Sequence, residues 1–504
     1  MNRRRKILAV VFISLGVAIL IPIVHHYQLR AAVNAYIAEL KARGEPMDLA
    51  QVIPPSVPAE QNGVLFISNA LAKLEYESVA GSNTPPAMRM IAPGKAMIGR
   101  QRPNIIGFDA TNSWEDLGRE LAAAKSELDS FQYLTNHPVL DFNVEYQKGF
   151  DLLLPHLAPL KRSALWLSAS AVYNLHQQNP KSACTDVRAM LALVKGETDE
   201  RILISQLVRI AIAAIGEGAT WEILRGTNAS DEDLAQLQRG WQSLDFSHSI
   251  EQSFVYERAE NLLEYEQIRK SSDRFNKLWG YFYSSDVSSG ESFFPKKQRA
   301  LSLRKWDELR WRWFWSYRDE VRGLKAYQVL IETTRRAETN GDFRIIKSLA
   351  GSNLPQQTRE PGDGEGLRNF FLQSTFGSDA ALRKSARMET ARNTVVTAIA
   401  LRRYQLRHHQ LPAALEKLTP DLLPTVPVDC MDGESLRYRR NTDGTFVLYS
   451  VGEDGKDDGG DPSLPKNVES SSFYWQSSRA LDWVWPQAAT PEEIQAWYVK
   501  QAKN

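Results

Sequence analysis

The chain has 504 residues, enough for roughly two to four domains. Hydrophobic residues make up 43% and charged residues 24%, proportions typical of folded proteins, which excludes wholesale disorder. Lys plus Arg number 61 against 60 Asp plus Glu, so the net charge is +1. This balance provides no overall positive field, and we expect no nucleic-acid partner.

The N-terminus carries the strongest compositional signal. A basic cluster, Arg3-Arg4-Arg5-Lys6, precedes an uncharged apolar run over residues 7–24. About 18 residues of helix span roughly 27 Å, close to the hydrocarbon thickness of a bilayer, and basic residues favour the cytoplasmic side. We therefore predict a cytoplasmic tail at 1–6, a single transmembrane anchor at 7–24, and an inner-membrane protein whose bulk lies in the periplasm or extracytoplasmic space. The alternative is a cleaved signal peptide, whose apolar region usually has about 7–15 residues.

Helical patterns dominate the next part of the chain. Residues 25–58 predict a helix that stops at Gly44 and a Pro-rich linker, and residues 59–350 predict a large, irregular helical domain. A helical hairpin in this domain, Leu157–Leu175 with Ala183–Lys195, resembles the unit of tetratricopeptide-like arrays, although no fixed period recurs three times. Residues 202–215 are apolar on nearly every face and predict a central helix, whereas 81–112 predict an irregular excursion.

Two groups of residues in the helical domain admit several interpretations. Glu260 and Glu264 are interpreted as part of a solvated face, although a glycosidase pair is identified only by its separation in space. An aromatic segment suits packing between helices, contact with a membrane surface beside neighbouring arginines and lysines, or a carbohydrate platform. The platform requires exposed, coplanar rings. The aromatic segment contains Trp306, Trp311, Trp313, Trp315 and Tyr317, and the basic residues are Arg304, Lys305, Arg310 and Arg312.

The last quarter of the chain predicts a small α+β domain. Residues 351–377 are rich in Gly and Pro and predict a linker, and 378–465 predict a long amphipathic helix on an antiparallel sheet. The sheet is predicted from two alternating stretches, Leu436–Arg439 and Phe446–Val451, joined by a turn at 441–444. Residues 466–504 form a C-terminal extension. The predicted fold class is therefore mainly α, with an N-terminal transmembrane helix, a repeat-like helical domain and this α+β domain.

An ordered series of short motifs follows the long helix. It comprises Ala400-Leu401-x-x-Tyr404, Gln410-Leu411-Pro412, Leu415-x-x-Leu418-x-Pro420, Leu422-Leu423-Pro424-x-Val426-Pro427-x-Asp429, Leu436-x-Tyr438 and Leu448-Tyr449-Ser450-x-Gly452-x-Asp454-Gly455. The series covers about 70 to 80 residues, a single domain in size, and resembles the C-terminal part of the major pseudopilins of bacterial type II secretion.

The chain departs from the pseudopilin pattern at its N-terminus. A pseudopilin carries its membrane helix directly before this domain, behind a prepilin-peptidase site and a glutamate near the start of the apolar run. Residues 1–24 have neither feature and lie far upstream. We therefore expect a pseudopilin-like head on a helical stalk and not a filament subunit. The layout resembles uncharacterised exported bacterial proteins with a membrane anchor.

An acidic, glycine-rich loop closes the predicted head. Carboxylate oxygens on such a loop suit calcium, which takes about six to eight oxygen ligands. The equivalent loop binds calcium in the resembling family, and the best-matching positions are Asp454, Asp457, Asp458 and Asp461. The spacing differs from that of an EF-hand, and a solvated acidic turn is the alternative.

No catalytic motif stands out in the sequence. HExxH, GxSxG, a Walker A loop and GxGxxG after a strand are all missing, and we assign no catalytic residue. Cys184 and Cys430 lie far apart, and the sequence leaves open whether they pair. We expect a non-enzymatic protein that acts in assembly or protein–protein interaction at the cell envelope, related to secretion, with protein partners there. The alternatives are a hydrolase of an envelope polymer with a helical cleft and a carbohydrate-binding protein.

Overall fold

A computed structural model describes residues 3–82, 87–106, 111–137, 139–226, 228–283, 301–344, 378–464, 475–476 and 480–501. These parts are mainly helical with a small proportion of sheet, which confirms the predicted class at this level. The predicted linker at 351–377 lies outside the described residues.

Helices account for most of the described elements. In chain order, the helices are α1 (Arg3–Ala42), α2 (Leu49–Val52), α3 (Val64–Lys73), α4 (Val79–Ser82), α5 (Trp114–Ala123), α6 (Lys125–Ser130), α7 (Leu157–His176), α8 (Pro180–Gly196), α9 (Leu203–Leu224), α10 (Asp231–Gln242), α11 (Ser247–Lys270), α12 (Ser272–Tyr283), α13 (Leu301–Arg310), α14 (Ser316–Asn340), α15 (Ser378–His408) and α16 (Pro491–Gln501). The strands are β1 (Arg89–Ala92), β2 (Lys95–Met97), β3 (Ile105–Ile106), β4 (Thr111–Asn112), β5 (Arg437–Arg440), β6 (Phe446–Ser450), β7 (Trp483–Val484) and β8 (Gln487–Ala488).

Several helices begin where local sequence signals place them. The Ser113 hydroxyl accepts a hydrogen bond from the Asp116 amide, which caps α5. The Asn179 side chain caps α8 in the same way, and Pro180 occupies the first turn, where a missing N–H does no harm. Both starts follow from local sequence, because capping depends only on residues a few positions apart.

The centre of the fold is a layer of packed helices. The α7–α8 hairpin packs on α9, and α9 packs on α15. Among the described residues, α9 also has the length and composition of a membrane span, and 56% of its apolar window is buried inside the protein. The second half of α9, which lies largely beyond the predicted 202–215 segment, is a core segment with fully buried Trp221.

The first half of α9 packs in the centre of the bundle, as predicted for 202–215, but it buries polar side chains. Gln206 and Arg209 are buried there, whereas Ile204 is 51% exposed. The buried polar side chains donate hydrogen bonds to backbone carbonyls at the end of α8 and in the segment that joins α8 to α9, which explains their position. Periodicity of apolar residues could not reveal this, because the partners lie outside the helix.

The long helix α15 belongs to the same core as the helical body. Its side chains join those of α7, α8, α9 and β6 in one contiguous apolar cluster. Glu389 accepts a hydrogen bond from the Phe246 amide at 2.6 Å, and Arg403 pairs with Asp231 at 2.9 Å. The expectation of a head held apart on a stalk is therefore wrong, since α15 is buried against α9 and α10.

The sheet beside α15 has the predicted hairpin and one further strand. β5 and β6 are antiparallel, with Tyr438 opposite Leu448, and Gly444 in the connecting turn has φ +81°. β7, from the C-terminal extension, pairs antiparallel with β6. The long helix packs on this sheet, so the predicted α+β arrangement is present within the larger core.

The irregular excursion predicted at 81–112 contains short strands instead. β1 and β2 form an antiparallel hairpin, and β8 pairs parallel with β2. The indole of Trp221 donates to the Pro486 carbonyl at 2.8 Å, which fixes this strand beside α9. Periodicity does not reveal these strands, because each has at most four residues and β2 depends on a partner nearly 400 positions away.

The aromatic segment forms a π-helical turn, Trp311–Trp315, between α13 and α14. Trp311 is fully buried against Tyr265 and Phe275, whereas Trp313 is 46% exposed. A carbohydrate platform built on Trp311, Trp313 and Trp315 is therefore wrong, because one of its rings is in the core.

Candidate metal centre

Three chain segments meet where α7 begins and α8 connects to α9. His156 immediately precedes α7, Glu197 opens a 3₁₀ turn directly after α8, and Glu200 follows that turn. Because α7, α8 and α9 pack together, these ends lie at the same side of the layer. All three side chains are buried, with exposed fractions of 8% for His156, 1% for Glu197 and 6% for Glu200.

The three side chains point their ligand atoms at one another. His156 Nε2 lies 3.0 Å from Glu200 Oε2 and 3.2 Å from Oε1. One ligand atom from each of the three residues lies within 4.8 Å of the other two. Within the described ranges of the chain, no other group of three His, Cys, Asp or Glu residues has its ligand atoms this close together.

Glu197 differs from the other two residues because no described group donates a hydrogen bond to its side chain. Neither carboxylate oxygen has a partner within the described structure, although both are buried. Burial raises the pKa of Glu197 well above its usual value, the charge of Glu200 raises it further, and Arg209 opposes both effects. A buried carboxyl without a donor is unfavourable and calls for a compensating group.

Side chains from α9 hold the two glutamates in place. The Ser205 hydroxyl donates to Glu200 Oε1, and the Gln206 amide donates to the carbonyls of Glu197 at 2.9 Å and Glu200 at 2.6 Å. Arg209 in turn donates to Gln206 Oε1 and to the Val194 carbonyl. This network explains why the first half of α9 buries Gln206 and Arg209.

The residues before α7 cover the centre. The Phe142 ring stacks on the His156 ring at 4.2 Å between centroids and an interplanar angle of 11°. The Tyr146 hydroxyl accepts a hydrogen bond from the Arg201 amide at 3.2 Å, beside Glu200. Burial raises the pKa of Tyr146 above its usual value, so it is neutral at physiological pH. The stack and the hydrogen bond fix the imidazole and the 200–201 backbone.

The chemistry of the three ligands suits a divalent metal ion. One imidazole nitrogen and two carboxylates form a mixed N/O set, which zinc and other first-row divalent metals accept. With bonds of about 2.0–2.1 Å, the ligand atoms of a tetrahedral site lie roughly 3.3 Å apart. The 3.0 Å contact between His156 and Glu200 is close to this spacing, and the ligand atom of Glu197 lies within 4.8 Å of both.

The predicted calcium loop has a different geometry. Asp457, Asp458 and Asp461 are exposed and Asp454 is half-buried. As placed, the four aspartates do not bring three carboxylate oxygens within 4.8 Å of one another. Asp454, Asp457 and Asp461 each accept a hydrogen bond from a backbone amide two positions ahead, at 2.9–3.0 Å. Calcium binding by this loop stays a prediction.

A residue that the sequence did not single out organises this loop. The Asp482 carboxylate, which precedes β7, accepts hydrogen bonds from the amides of Asp458 at 3.4 Å, Gly460 at 2.7 Å and Asp461 at 3.2 Å. The Asp482 amide also donates to the Asp461 carbonyl at 2.9 Å. The C-terminal extension therefore shapes the loop.

Glu260 and Glu264 of α11 do not lie on a solvated face, which corrects the sequence interpretation of this pair. Glu260 and Glu264 are 6% and 2% exposed. Arg274 forms a two-pronged ion pair with Glu264. Burial raises the pKa of Glu260 well above its usual value, and the charge of Glu264 adds to this effect. Helical spacing alone placed these residues on a face but did not show that α12 and the 146–151 turn cover it.

A surface groove of about 620 Å³ lies elsewhere, beside α6 and α8. Its lining is polar and includes Asp129 in an ion pair with Lys125 at 2.7 Å. The residues that line it include neither convergent carboxylates nor a His–acid pair, and it is not an apolar groove. The groove therefore supports neither the hydrolase alternative nor an apolar docking surface.

Neither cysteine is bonded to the other. Cys184 and Cys430 are free and buried, and burial raises the pKa of the Cys184 thiol to about 12.

No protein-family model, no curated protein and no solved structure matches the chain. The interpretation of function therefore depends on the geometry of this molecule.

The sequence does contain a weak signal for the metal centre. Glu197-Thr198-Asp199-Glu200 places two glutamates three positions apart at a helix end. His156 carries no such signal, because only the packing of α7 on α8 and α9 brings it to the glutamates.

Proposed function

We propose that this protein is a single-pass, inner-membrane-anchored protein that acts without catalysis in assembly or protein–protein interaction at the cell envelope. The observation that carries the proposal is α1, one continuous helix over 40 residues. Phe12, Ile13, Leu20 and Ile21 in this helix are 58–70% exposed. Apolar exposure on this scale is unfavourable in water and favourable in lipid.

The opposite end of α1 is part of the protein body. Leu40 is fully buried, and it packs with Met47 and with Leu324 of α14. Because the helix is unbroken between residues 24 and 42, α1 joins the proposed anchor directly to the body.

The π-helical turn adds a second point of membrane contact to this proposal. His26, two positions beyond the apolar run, has its Nδ1 3.0 Å from the Trp313 carbonyl, and the two rings are 4.8 Å apart. Trp313 and Phe314 are 46% and 37% exposed beside it, and Trp306 of α13 is 66% exposed. Tryptophan is favoured at the headgroup level, where one end of the ring is apolar and the other is wet.

The secretion-related part of the proposal rests on the resemblance in the last quarter of the chain. A long helix on a β5–β6 hairpin is the arrangement that a pseudopilin-like region implies. In this protein the region 378–465 is packed into the helical body and is not a free head. Envelope partners would therefore contact it on the side of the 454–461 loop. Calcium bound by the Asp454–Asp461 loop belongs to this proposal.

Alkaline extraction and topology measurement test the anchor. We expect the full chain to remain in the membrane at high pH, and a C-terminal tag to be cleaved by protease added outside the cytoplasmic membrane. A variant lacking residues 2–24 should become soluble. A Trp313→Ala variant, as the matched control, should keep the anchor and change only how closely the body approaches lipid.

Release of the full chain by alkaline buffer, or protection of the C-terminal tag inside the cytoplasm, contradicts the proposal. Crosslinking in membranes followed by identification of the captured proteins tests the role in assembly. The result that opposes it is capture of the same proteins by the chain and by an unrelated protein carrying the same anchor.

A further inference from the structure

We propose that His156, Glu197 and Glu200 bind one first-row divalent transition-metal ion, with zinc as the reference metal, and that this ion links the start of α7 to the α8–α9 connection. The inference is independent of the membrane proposal, because the centre lies inside the helical body. It also differs from the calcium loop in position, ligands and burial.

The unpartnered carboxylate of Glu197 is the first observation behind this inference. Its two oxygens are buried without a donor in the described structure, although the protein supplies donors to its neighbours. Ser205 donates to Glu200, and Gln206 donates to the backbone of Glu197 but not to its side chain. A buried carboxyl left in this state is compensated by a proton or by a cation, and the ligand atoms of His156 and Glu200 beside it favour a cation.

The arrangement of the ligands is the second observation. The imidazole nitrogen and the carboxylate oxygens converge within 4.8 Å, and no described Lys or Arg forms an ion pair with Glu197. The nearest opposing charge is Arg209, whose guanidinium donates instead to Val194, Gln206, Ser249 and Asp245. Ligand atoms of the three side chains therefore face one another without a protein cation between them.

The supporting hydrogen bonds resemble those that orient metal ligands. Ligand carboxylates are usually held by outer hydrogen bonds, as Ser205 holds Glu200. The imidazole is fixed by its stack on Phe142. Both constraints exist before the ion binds, so little ordering is needed on binding.

Burial favours a structural role for the ion. Three protein ligands leave at least one position for water, as in catalytic zinc sites. Here Phe142 and Tyr146 cover the ligands, and the three side chains are at most 8% exposed. Ligands this deeply buried favour a link between α7 and the α8–α9 connection over contact with a substrate.

Cobalt provides the spectroscopic probe, because Co²⁺ replaces zinc and absorbs visible light when bound by N and O ligands. The full chain is purified in detergent, analysed for metals by mass spectrometry, stripped with a chelator and titrated with CoCl₂. We expect about one equivalent of metal in the purified protein and a visible absorption band that saturates at about one equivalent of cobalt. Zinc should displace the cobalt, and calcium at the same concentration should not.

Variants locate the ion. Glu197→Gln and His156→Gln should remove the cobalt band, and Ser205→Ala should weaken cobalt binding roughly 10- to 100-fold, as expected for a residue that positions a ligand. Asp199→Asn is the matched control, because Asp199 lies exposed on the same turn and is outside the group; it should bind cobalt like the unmodified chain.

Three results overturn the inference. The first is absence of bound metal together with no cobalt band and no effect of zinc or manganese on the unfolding temperature. This result leaves a His156–Glu200 hydrogen bond beside a protonated Glu197. The second is equal cobalt binding by the Glu197→Gln and unmodified chains. The third is displacement of cobalt by calcium. If Glu197→Gln does not fold, the test uses the other two samples. Cobalt must then bind to the stripped full chain, and it must bind more weakly to Ser205→Ala.

Discussion

Two acidic regions of this molecule differ sharply: the exposed loop at 454–461 and the buried centre at His156, Glu197 and Glu200. The loop is dense in aspartate, and most of its carboxylates accept hydrogen bonds from nearby amides. The centre has two glutamates, one of which has no donor in the described structure. Density of acidic residues in a sequence therefore does not measure the need for a cation.

Solvent explains the difference between the two regions. An exposed carboxylate is hydrated, so the loop is stable with or without an ion, and an ion there stabilises the protein less than one at a buried site. A buried carboxylate has lost its hydration and needs a proton, a donor or a metal. We expect removal of a cation from the buried centre to lower the stability of the helical core. Removal of a cation from the loop should leave the core unchanged.

The largest expected effect is a reversal at Glu197. Zinc at roughly 1,000 times its Kd should stabilise the unmodified chain by about 4 kcal/mol and leave Glu197→Gln unchanged, so that the unmodified chain becomes the more stable of the two. With a chelator present, Glu197→Gln should be the more stable, because it removes a buried carboxylate that has no donor. Thermal unfolding of both chains under both conditions measures the difference.

Asp199→Asn is the control for this reversal and should show the same unfolding temperature as the unmodified chain in each condition. An equal difference between the chains in zinc and in chelator would mean that no ion acts at the centre.

Glu217 is a second buried carboxylate, and unlike Glu197 it has a hydrogen-bond donor in the described parts of the chain. Comparing the two separates the effect of burial on stability from the effect of a missing donor. Glu217 in α9 accepts a hydrogen bond from the Trp475 indole, and burial raises its pKa from 4.5 to about 8. Between these values the folded protein holds a proton that the unfolded chain has lost, so stability falls as pH rises from 4.5 to about 8 and then levels off. Glu217→Gln should remove this fall, which amounts to about 1.4 kcal/mol for each unit of the pKa difference.

Chemical denaturation of both chains at several pH values measures this contribution. Gln keeps an oxygen for the Trp475 indole, so the two chains should have nearly equal stability at about pH 5, where Glu217 is neutral in the folded protein. A constant difference at every pH would show that Glu217 does not titrate over this range.

A smaller effect is expected at Asp482, which orders the acidic loop at 454–461. Asp482→Ala leaves the amides of Gly460 and Asp461 without their acceptor and should destabilise the loop by about 1–3 kcal/mol. Hydrogen exchange of residues 458–461 should accelerate, while exchange in α7–α9 stays unchanged. Asp454→Ala removes one acceptor at the surface and is the matched control; it should accelerate exchange at Lys456 alone.

The smallest effect is expected from calcium at the loop. An extracellular site of this kind has a Kd of about 10⁻⁴–10⁻³ M, so calcium at about 10 mM should stabilise the protein by roughly 1–3 kcal/mol. Calorimetry of the full chain should show heat at millimolar calcium, and replacement of Asp454, Asp457, Asp458 and Asp461 by asparagine should abolish it. The full chain is required because α15 packs into the helical body. No heat with the unmodified chain would leave a solvated acidic turn.

Local features of the sequence predicted the local features of the structure. Ser113 and Asn179 start helices because a cap involves residues within one turn. Gly444 closes the β5–β6 hairpin because the turn needs a positive φ, which glycine adopts readily. The site was less predictable: Glu197 and Glu200 form a visible pair, whereas His156 is an ordinary residue in the sequence.

Sequence patterns alone were enough to predict a mainly helical chain, an apolar first helix, the α7–α8 hairpin and a hairpin beside a long helix, since propensity, capping and periodicity act over a few residues. The packing of the helices was needed to show that the face of α11 bearing Glu260 is buried, that α15 lies inside the helical body and that β8 pairs with β2. Packing also brings together the three residues of the candidate metal centre. Packing of the helices decides which faces are buried and which distant side chains meet. The spacing of residues along the sequence could not predict this, because it does not give the distance in space between segments that are far apart in the chain.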